Sequence, residues 1–175
     1  MIKQTMAALL LTTSVASAAD MMMMDRDSLD NQANVTISAV EVNDADGGSI
    51  EFDGRYGILE GSANHVDIGS EDRTKVSGGL VYSIGGNFGV SAGVVGTAYN
   101  VTDVDDFTAD GYVAGIYDND KFEARVQIEE NSETYDAIVS GRYYISDRVA
   151  LAASVEGEVE GVGEELYTVG LSFKF

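Results

Sequence analysis

The chain has 175 residues and carries 30 acidic against 10 basic side chains, a formal charge of −20, with no cysteine and no proline. That charge excludes nucleic-acid binding, which sets basic side chains against phosphates, and the missing cysteine leaves an exported domain of this size without disulfide staples. The length fits one domain, and no apolar run reaches the roughly 18 residues that a transmembrane helix needs.

The first eighteen residues read as a removable export signal. Lys3 supplies the charged start, Met6 to Val15 the short apolar centre, and Ala16-Ser17-Ala18 the small-residue cleavage site, with cleavage after Ala19 fitting the same rule. Removing residues 1–18 takes away Lys3 and leaves nine basic against 30 acidic groups, a formal charge of −21. Residues 19–33 show neither helical nor strand period and are expected to form a flexible periplasmic lead-in. Within it, Met21 to Met24 offer four soft thioethers of the kind copper takes, a weaker reading than plain lead-in.

From Asn34 to Phe175 the chain alternates short β-rich runs with polar or glycine-rich turns, with no sustained helical period. Val35, Ile37 and Ala39 start a first strand, and Ile50, Phe52, Gly54, Tyr56 and Ile58 form the apolar face of a second, with Glu51, Asp53 and Arg55 opposite. The stretch from Leu59 to Asp72 is the weakest, supported only by Val66 and Ile68. Val76 to Ile84 alternates clearly into Gly85-Gly86-Asn87, and Phe88 to Ala98 answers it. An acidic connection, Asn100 to Asp106, leads to a strand from Phe107 to Tyr117, which Asp118-Asn119-Asp120 turns into Phe122, Ala124, Val126 and Ile128. After Glu129 to Glu133 come Tyr135 to Ile145, the turn Ser146-Asp147, and Val149 to Val155. An acidic, glycine-rich loop, Glu156 to Glu164, then delivers the last strand.

Every second connection is minimal and flanked by aromatics, while the alternate ones are longer and acidic. Such sidedness belongs to membrane barrels, with short periplasmic turns, longer outer loops and aromatic girdles. Twenty glycines, many inside strands, suit the bends of a closed barrel. Seven clear strands from residue 73 onward need one or three more for an even count, and the spacing of about 14 to 15 residues per strand favours ten over eight. The expected fold is therefore all-β, a closed antiparallel transmembrane barrel over 34–175.

In the last strand Tyr167, Val169, Leu171, Phe173 and Phe175 occupy every second position. This strand resembles the C-terminal signature of Gram-negative outer-membrane β-barrels, which the barrel-assembly machinery reads. With the phrases Val81-Tyr-Ser-Ile-Gly-Gly-Asn-Phe88 and Tyr143-Tyr-Ile-Ser-Asp-Arg-Val-Ala150 and the export signal, the chain resembles the small OmpA/OmpX-like, porin-like barrels, from which it departs in having no tryptophan. The resemblance implies an outer-membrane location in a Gram-negative bacterium, contact with outer-membrane lipid and lipopolysaccharide, and a monomer.

If the apolar positions face lipid, their neighbours line the interior. Glu51, Asp53, Arg55, Asp110, Glu123, Arg125, Asp136 and Arg142 are then lumen charges, expected to pair locally as Arg55 with Asp53, Arg125 with Glu123 and Arg142 with Asp136. The expected function is a non-enzymatic structural or cell-surface barrel, plugged by these pairs; a small porin-like channel is the alternative, and a soluble periplasmic ligand-binding barrel the second. Asp103, Asp105 and Asp106 have a spacing that invites a divalent cation, without the glycine and distal glutamate of an EF-hand loop. The single histidine, His65, carries no recognisable catalytic set, and no cofactor is expected.

Overall fold

The computed structural model describes residues 31–42, 45–68, 71–101, 104–131, 134–159 and 165–175. The expected signal and most of the lead-in, including the methionine run, lie outside the described residues. Ten strands follow in order: β1 (Gln32–Val42), β2 (Ala45–Tyr56), β3 (Leu59–Ile68), β4 (Glu71–Gly85), β5 (Phe88–Val101), β6 (Val104–Asp118), β7 (Phe122–Asn131), β8 (Thr134–Ser146), β9 (Val149–Glu158) and β10 (Leu166–Lys174). Each pairs antiparallel with its sequence neighbours, and β10 pairs with β1 to close the ring. No helix is long and apolar enough to cross a membrane, which says nothing against crossing by strands.

Alternation decides which side chain goes where. On β1, Gln32, Asn34, Thr36, Ser38 and Val40 are buried in the lumen while Ile37 and Ala39 point outward. The outward set is apolar and open: Leu80, Tyr82, Val94 and Phe107 are 58%, 70%, 66% and 68% exposed. The most protected side chains include Asn34 at 2% and Ser172 at 1%. A water-soluble barrel has the reverse distribution.

One end of the barrel gathers the start of β1, the end of β10 and the tight turns. Left-handed Gly57 (φ 59°) opens the β2–β3 turn, and Gly85 (φ 119°) and Gly86 (φ 58°) make the β4–β5 turn, conformations that L side chains rarely adopt. Between β6 and β7 the Asn119 carboxamide oxygen accepts from the backbone N–H groups of Lys121 and Phe122 at 2.9 and 2.8 Å, a local cap that fixes the reversal. Phe88, Tyr117 and Phe122 pack beside it in tilted pairs, with the Tyr117 ring centroid 5.0 Å from that of Phe88 and 6.4 Å from that of Phe122.

At the other end the strands run further than the apolar alternation indicates. Asp46, Glu129, Glu130, Glu156 and Glu158, which read as connection residues, lie in strands, and four of the five outer intervals between strand ends are two residues long. The fifth spans 159–165. Polar residues at these strand ends imitate a loop in composition, although Glu129 and Glu156 are lumen residues with partners. The weak segment forms β3, but in the opposite phase to its apolar residues: Val66, 1% exposed, packs inward with Val40 and Leu166, while His65 and Asp67 face out.

Candidate functional site

The lumen is the candidate site, and β7 is its spine. The four inward positions Glu123, Arg125, Gln127 and Glu129 are all polar and all hydrogen-bonded.

Near the tight-turn end, Arg55 of β2 donates to Glu123 at 2.6 Å and to Asp118 of β6 at 3.1 Å. Gln32 of β1 donates to the other Glu123 oxygen at 3.0 Å. Arg142 of β8 binds both oxygens of Asp53, lies 3.4 Å from Glu123 and reaches Glu51 at 4.0 Å. Asn34 donates to Asp53 at 3.0 Å.

Further along, Arg125 forms a two-pronged pair with Glu60 of β3 at 2.8 and 3.0 Å. Its guanidinium carbon stands 5.6 Å from the centre of the Tyr112 ring, whose hydroxyl donates to the same Glu60 at 2.7 Å. Gln127 relays this group outward, accepting from Arg125 Nε at 2.7 Å and donating to Glu129 at 2.6 Å. There Lys75 of β4 bridges Glu129 and Glu156 of β9 at 2.7 and 2.5 Å, and Arg73 grips Glu156 with both prongs at 2.8 and 2.7 Å.

These bonds cross the barrel. In the closed order β2 and β7 stand five strands apart, as do β4 and β9, so Arg55–Glu123 and Arg73–Glu156 join opposite walls of a ten-strand ring. The local partners expected from the sequence are replaced. Arg55 takes Glu123 and Asp118 rather than Asp53, Arg125 takes Glu60 rather than Glu123, and Arg142 takes Asp53 and Glu123 rather than Asp136. Alternate residues on one strand project side by side, whereas a narrow lumen brings their tips to the far wall. Fully partnered charges of this kind avoid most of the penalty of an isolated buried ion.

Asp110 and Asp136 also occupy inward positions, Asp110 beside Val95 in the β5–β6 register. Among the described residues no ion pair reaches Asp110, and the carboxylates of Asp136, Glu129 and Glu156 approach within 4.8 Å of one another. The Lys75 ammonium already bridges two of that trio. Asp103 lies outside the described residues; the backbone of Asp105 and Asp106 belongs to β6, and their side chains also fall outside the description. His65 hydrogen-bonds Thr74 at 3.0 Å on the outer face. Tyr167, Val169, Leu171 and Phe173 line the outer side of β10, and Phe175 is 82% exposed.

Sequence reasoning missed Glu60, Arg73, Lys75, Glu129 and Glu156 as lumen residues. Arg73 and Lys75 carry a legible signal, since they continue backward the parity opposite to Val76 and Leu80. Glu60 does not, because its segment has no clear apolar alternation. The space left between the side chains is a cavity of about 140 Å³ lined by Glu60, Lys75, Arg125 and Arg142 among others, with a second of about 50 Å³. That is room for water, a single molecule needing at least roughly 10–15 Å³ by such a measure. The buried Oδ1 atom of Asn64, which borders both cavities, accepts no hydrogen bond from the described residues.

No known protein-family profile and no curated protein sequence matches the chain. Among solved structures, the KdgM porin superposes with a TM-score of 0.51 at 14% identity, covering 81% of this chain and 99% of its own. The N-terminal β-barrel domain of Pseudomonas aeruginosa OprF gives 0.43 at 16% identity, with coverage of 83% and 100%. Outer membrane phospholipase A from Escherichia coli gives 0.46 at 10% identity, with coverage of 89% and 96%. At such identities the likeness to the porin is one of fold: the chain has the closed antiparallel architecture of outer-membrane β-barrels.

Proposed function

We propose that the protein is a non-enzymatic outer-membrane β-barrel of a Gram-negative bacterium, with a structural or cell-surface role and a lumen closed by its own ion pairs. The observation that carries this reading is the set of charge pairs reaching across the lumen between non-neighbouring strands at successive levels, from Arg55–Glu123 through Arg125–Glu60 to Arg73–Glu156. An open channel keeps its charged groups on the wall; here they meet in the middle. Val81 with Ile116, and Val40, Val66 and Leu166, add buried apolar clusters to the lumen.

The membrane placement is supported by the outward face. Large exposed apolar side chains such as Tyr82, Val94, Phe107 and Val169 recur around the ring, a surface that water penalises and a bilayer accepts. A closed barrel also satisfies the backbone polar groups that hydrocarbon cannot. Lipid and lipopolysaccharide are the proposed surroundings, the barrel-assembly machinery the proposed inserter, and the monomer the proposed state.

Reconstitution into planar bilayers tests the closed lumen. The expected record is a flat baseline without stepwise conductance, on a preparation whose unheated band runs ahead of the boiled one in an SDS gel. Regular single-channel steps would replace this reading with the small porin-like channel, and recovery in the detergent-free periplasmic fraction would replace it with a soluble barrel.

A further inference from the structure

The ring is not closed to the same height everywhere. The β5–β6 ladder has fourteen pairs, from Phe88–Tyr117 to Val101–Val104. The β6–β7 ladder has seven and ends at Tyr112–Glu129, although β7 continues to Asn131 and β6 to Val104. The outer eight residues of β6, Val104 to Gly111, therefore pair with β5 on one side and with no described strand on the other.

The direction of the backbone groups follows from alternation. Asp118 N donates to Asn87 O on the β5 side at 2.8 Å, and Asn119 N donates to Phe122 O on the β7 side at 2.9 Å. Even-numbered residues of β6 thus address β5, and odd-numbered residues address the opposite side. Above Tyr112, the N–H and C=O groups of Asp105, Phe107 and Ala109, with the N–H of Gly111, form an open strand edge. Phe107 and Ala109 are exposed beside it on the outer face, and Thr108 and Asp110 are half-buried on the inner face. A strand of about 9–11 residues crosses a bilayer, and β6 has fifteen, so this edge stands at and beyond the outer rim.

We propose that this edge of β6 docks an extended, lysine- or arginine-bearing peptide segment of another protein by strand addition, with main-chain bonds supplying affinity and the aspartates selecting charge. The segment Val104 to Gly111 holds three aspartates and no basic residue, in a chain of charge −20. That charge also weighs against a second copy, since antiparallel self-pairing that sets the open-side residues Phe107 and Ala109 opposite each other puts Asp106 opposite Asp110, and like charges directly opposite are destabilising. The proposal rests on the outer-membrane reading only for the side of the membrane that the edge faces.

The test uses the chain refolded in detergent micelles and an acetylated octapeptide alternating lysine and valine. Without peptide, the amides of Phe107, Ala109 and Gly111 are expected to exchange with solvent fast while those of Thr108 and Asp110 are protected. Adding peptide should slow the first set at least tenfold. Ala109→Pro removes an N–H from the open side only, leaves the β5 ladder intact, and should weaken binding at least tenfold while keeping the heat-modifiable gel shift. Slow exchange at Phe107 and Ala109 before peptide is added would overturn the proposal by showing the edge already covered. It is equally overturned if the peptide does not bind, if a glutamate–valine peptide or one N-methylated at alternate amides binds as well, or if the edge amides are protected only by concentration-dependent self-association. A barrel found outside the outer membrane would move its location without altering this exchange pattern.

Discussion

The two seams on which this barrel's closure depends behave oppositely. The β10–β1 seam joins strands with no turn between them, yet its ladder runs unbroken through nine pairs, from Asn34–Lys174 to Val42–Leu166. The β6–β7 seam is joined by a tight, well-capped turn at Asn119, yet its ladder stops after seven pairs. Covalent proximity therefore does not set how far a seam zips. At β10–β1, strands of nine and eleven residues are matched in length and the backbones approach closely, with Thr36 and Ser172 sharing a hydrogen bond of 2.9 Å inside. At β6–β7, fifteen residues meet ten, and the inward groups of β7 reach away from β6 to β2, β3 and β4.

The largest effect should come from breaking what holds β7. Glu123→Ala leaves the Arg55 and Arg142 guanidinium groups short of a partner in a buried site, and removing one side of such a pair costs about 3–5 kcal/mol. Urea unfolding of the refolded protein should show that loss, with increased amide exchange on β6 and β7 before β10 and β1. An equal response at both seams would mean that the cross-lumen pairs stabilise the whole ring rather than this side of it.

Next in size is an attack on the other seam. A Cβ at Gly170 would stand 2.1 Å from the Ile37 carbonyl oxygen and 2.3 Å from Ser38 Oγ, so Gly170→Val forces the two strands apart. Overpacking of this kind costs about 1–3 kcal/mol, read as a lower yield of the fast-migrating folded band. Gly111→Val is the paired control. No atom lies within 4 Å of its Cβ position, so the open seam should tolerate it.

Smallest is Thr36→Val, which removes one hydroxyl from the Thr36–Ser172 bond at the closed seam. A buried hydrogen bond contributes about 1 kcal/mol. The expected outcome is a small drop in the urea midpoint with an unchanged slope; no change would place that seam's strength in its backbone ladder alone.

Much of this barrel can be read along the chain, because side-chain direction on a strand is a local, period-two property. The outward sets Leu80–Tyr82–Ile84 and Phe122–Val126–Ile128 were legible for that reason, as were Glu123, Arg125 and Arg142 as inward charges. β3 resisted the same logic. Its apolar Val66 and Ile68 point into the lumen and its His65 points out, so hydrophobicity and direction disagree where a small apolar cluster fills the interior. Glu129 and Glu156 resisted for another reason: acidic residues at strand ends have the composition of a solvated loop, and only the arrival of Lys75 and Arg73 makes them interior.

By itself, then, the sequence determined that these residues form about ten curved, alternating strands with an apolar outside, a charged inside and tight turns at one end. Each of those properties depends on neighbours within a few positions. Only the tertiary structure decided that Arg55 meets Glu123 and Arg125 meets Glu60, and that β6 outruns β7 at its outer end. Those outcomes depend on which strands stand opposite in the closed ring and how their lengths and registers accumulate around it, and no short stretch of chain encodes that sum.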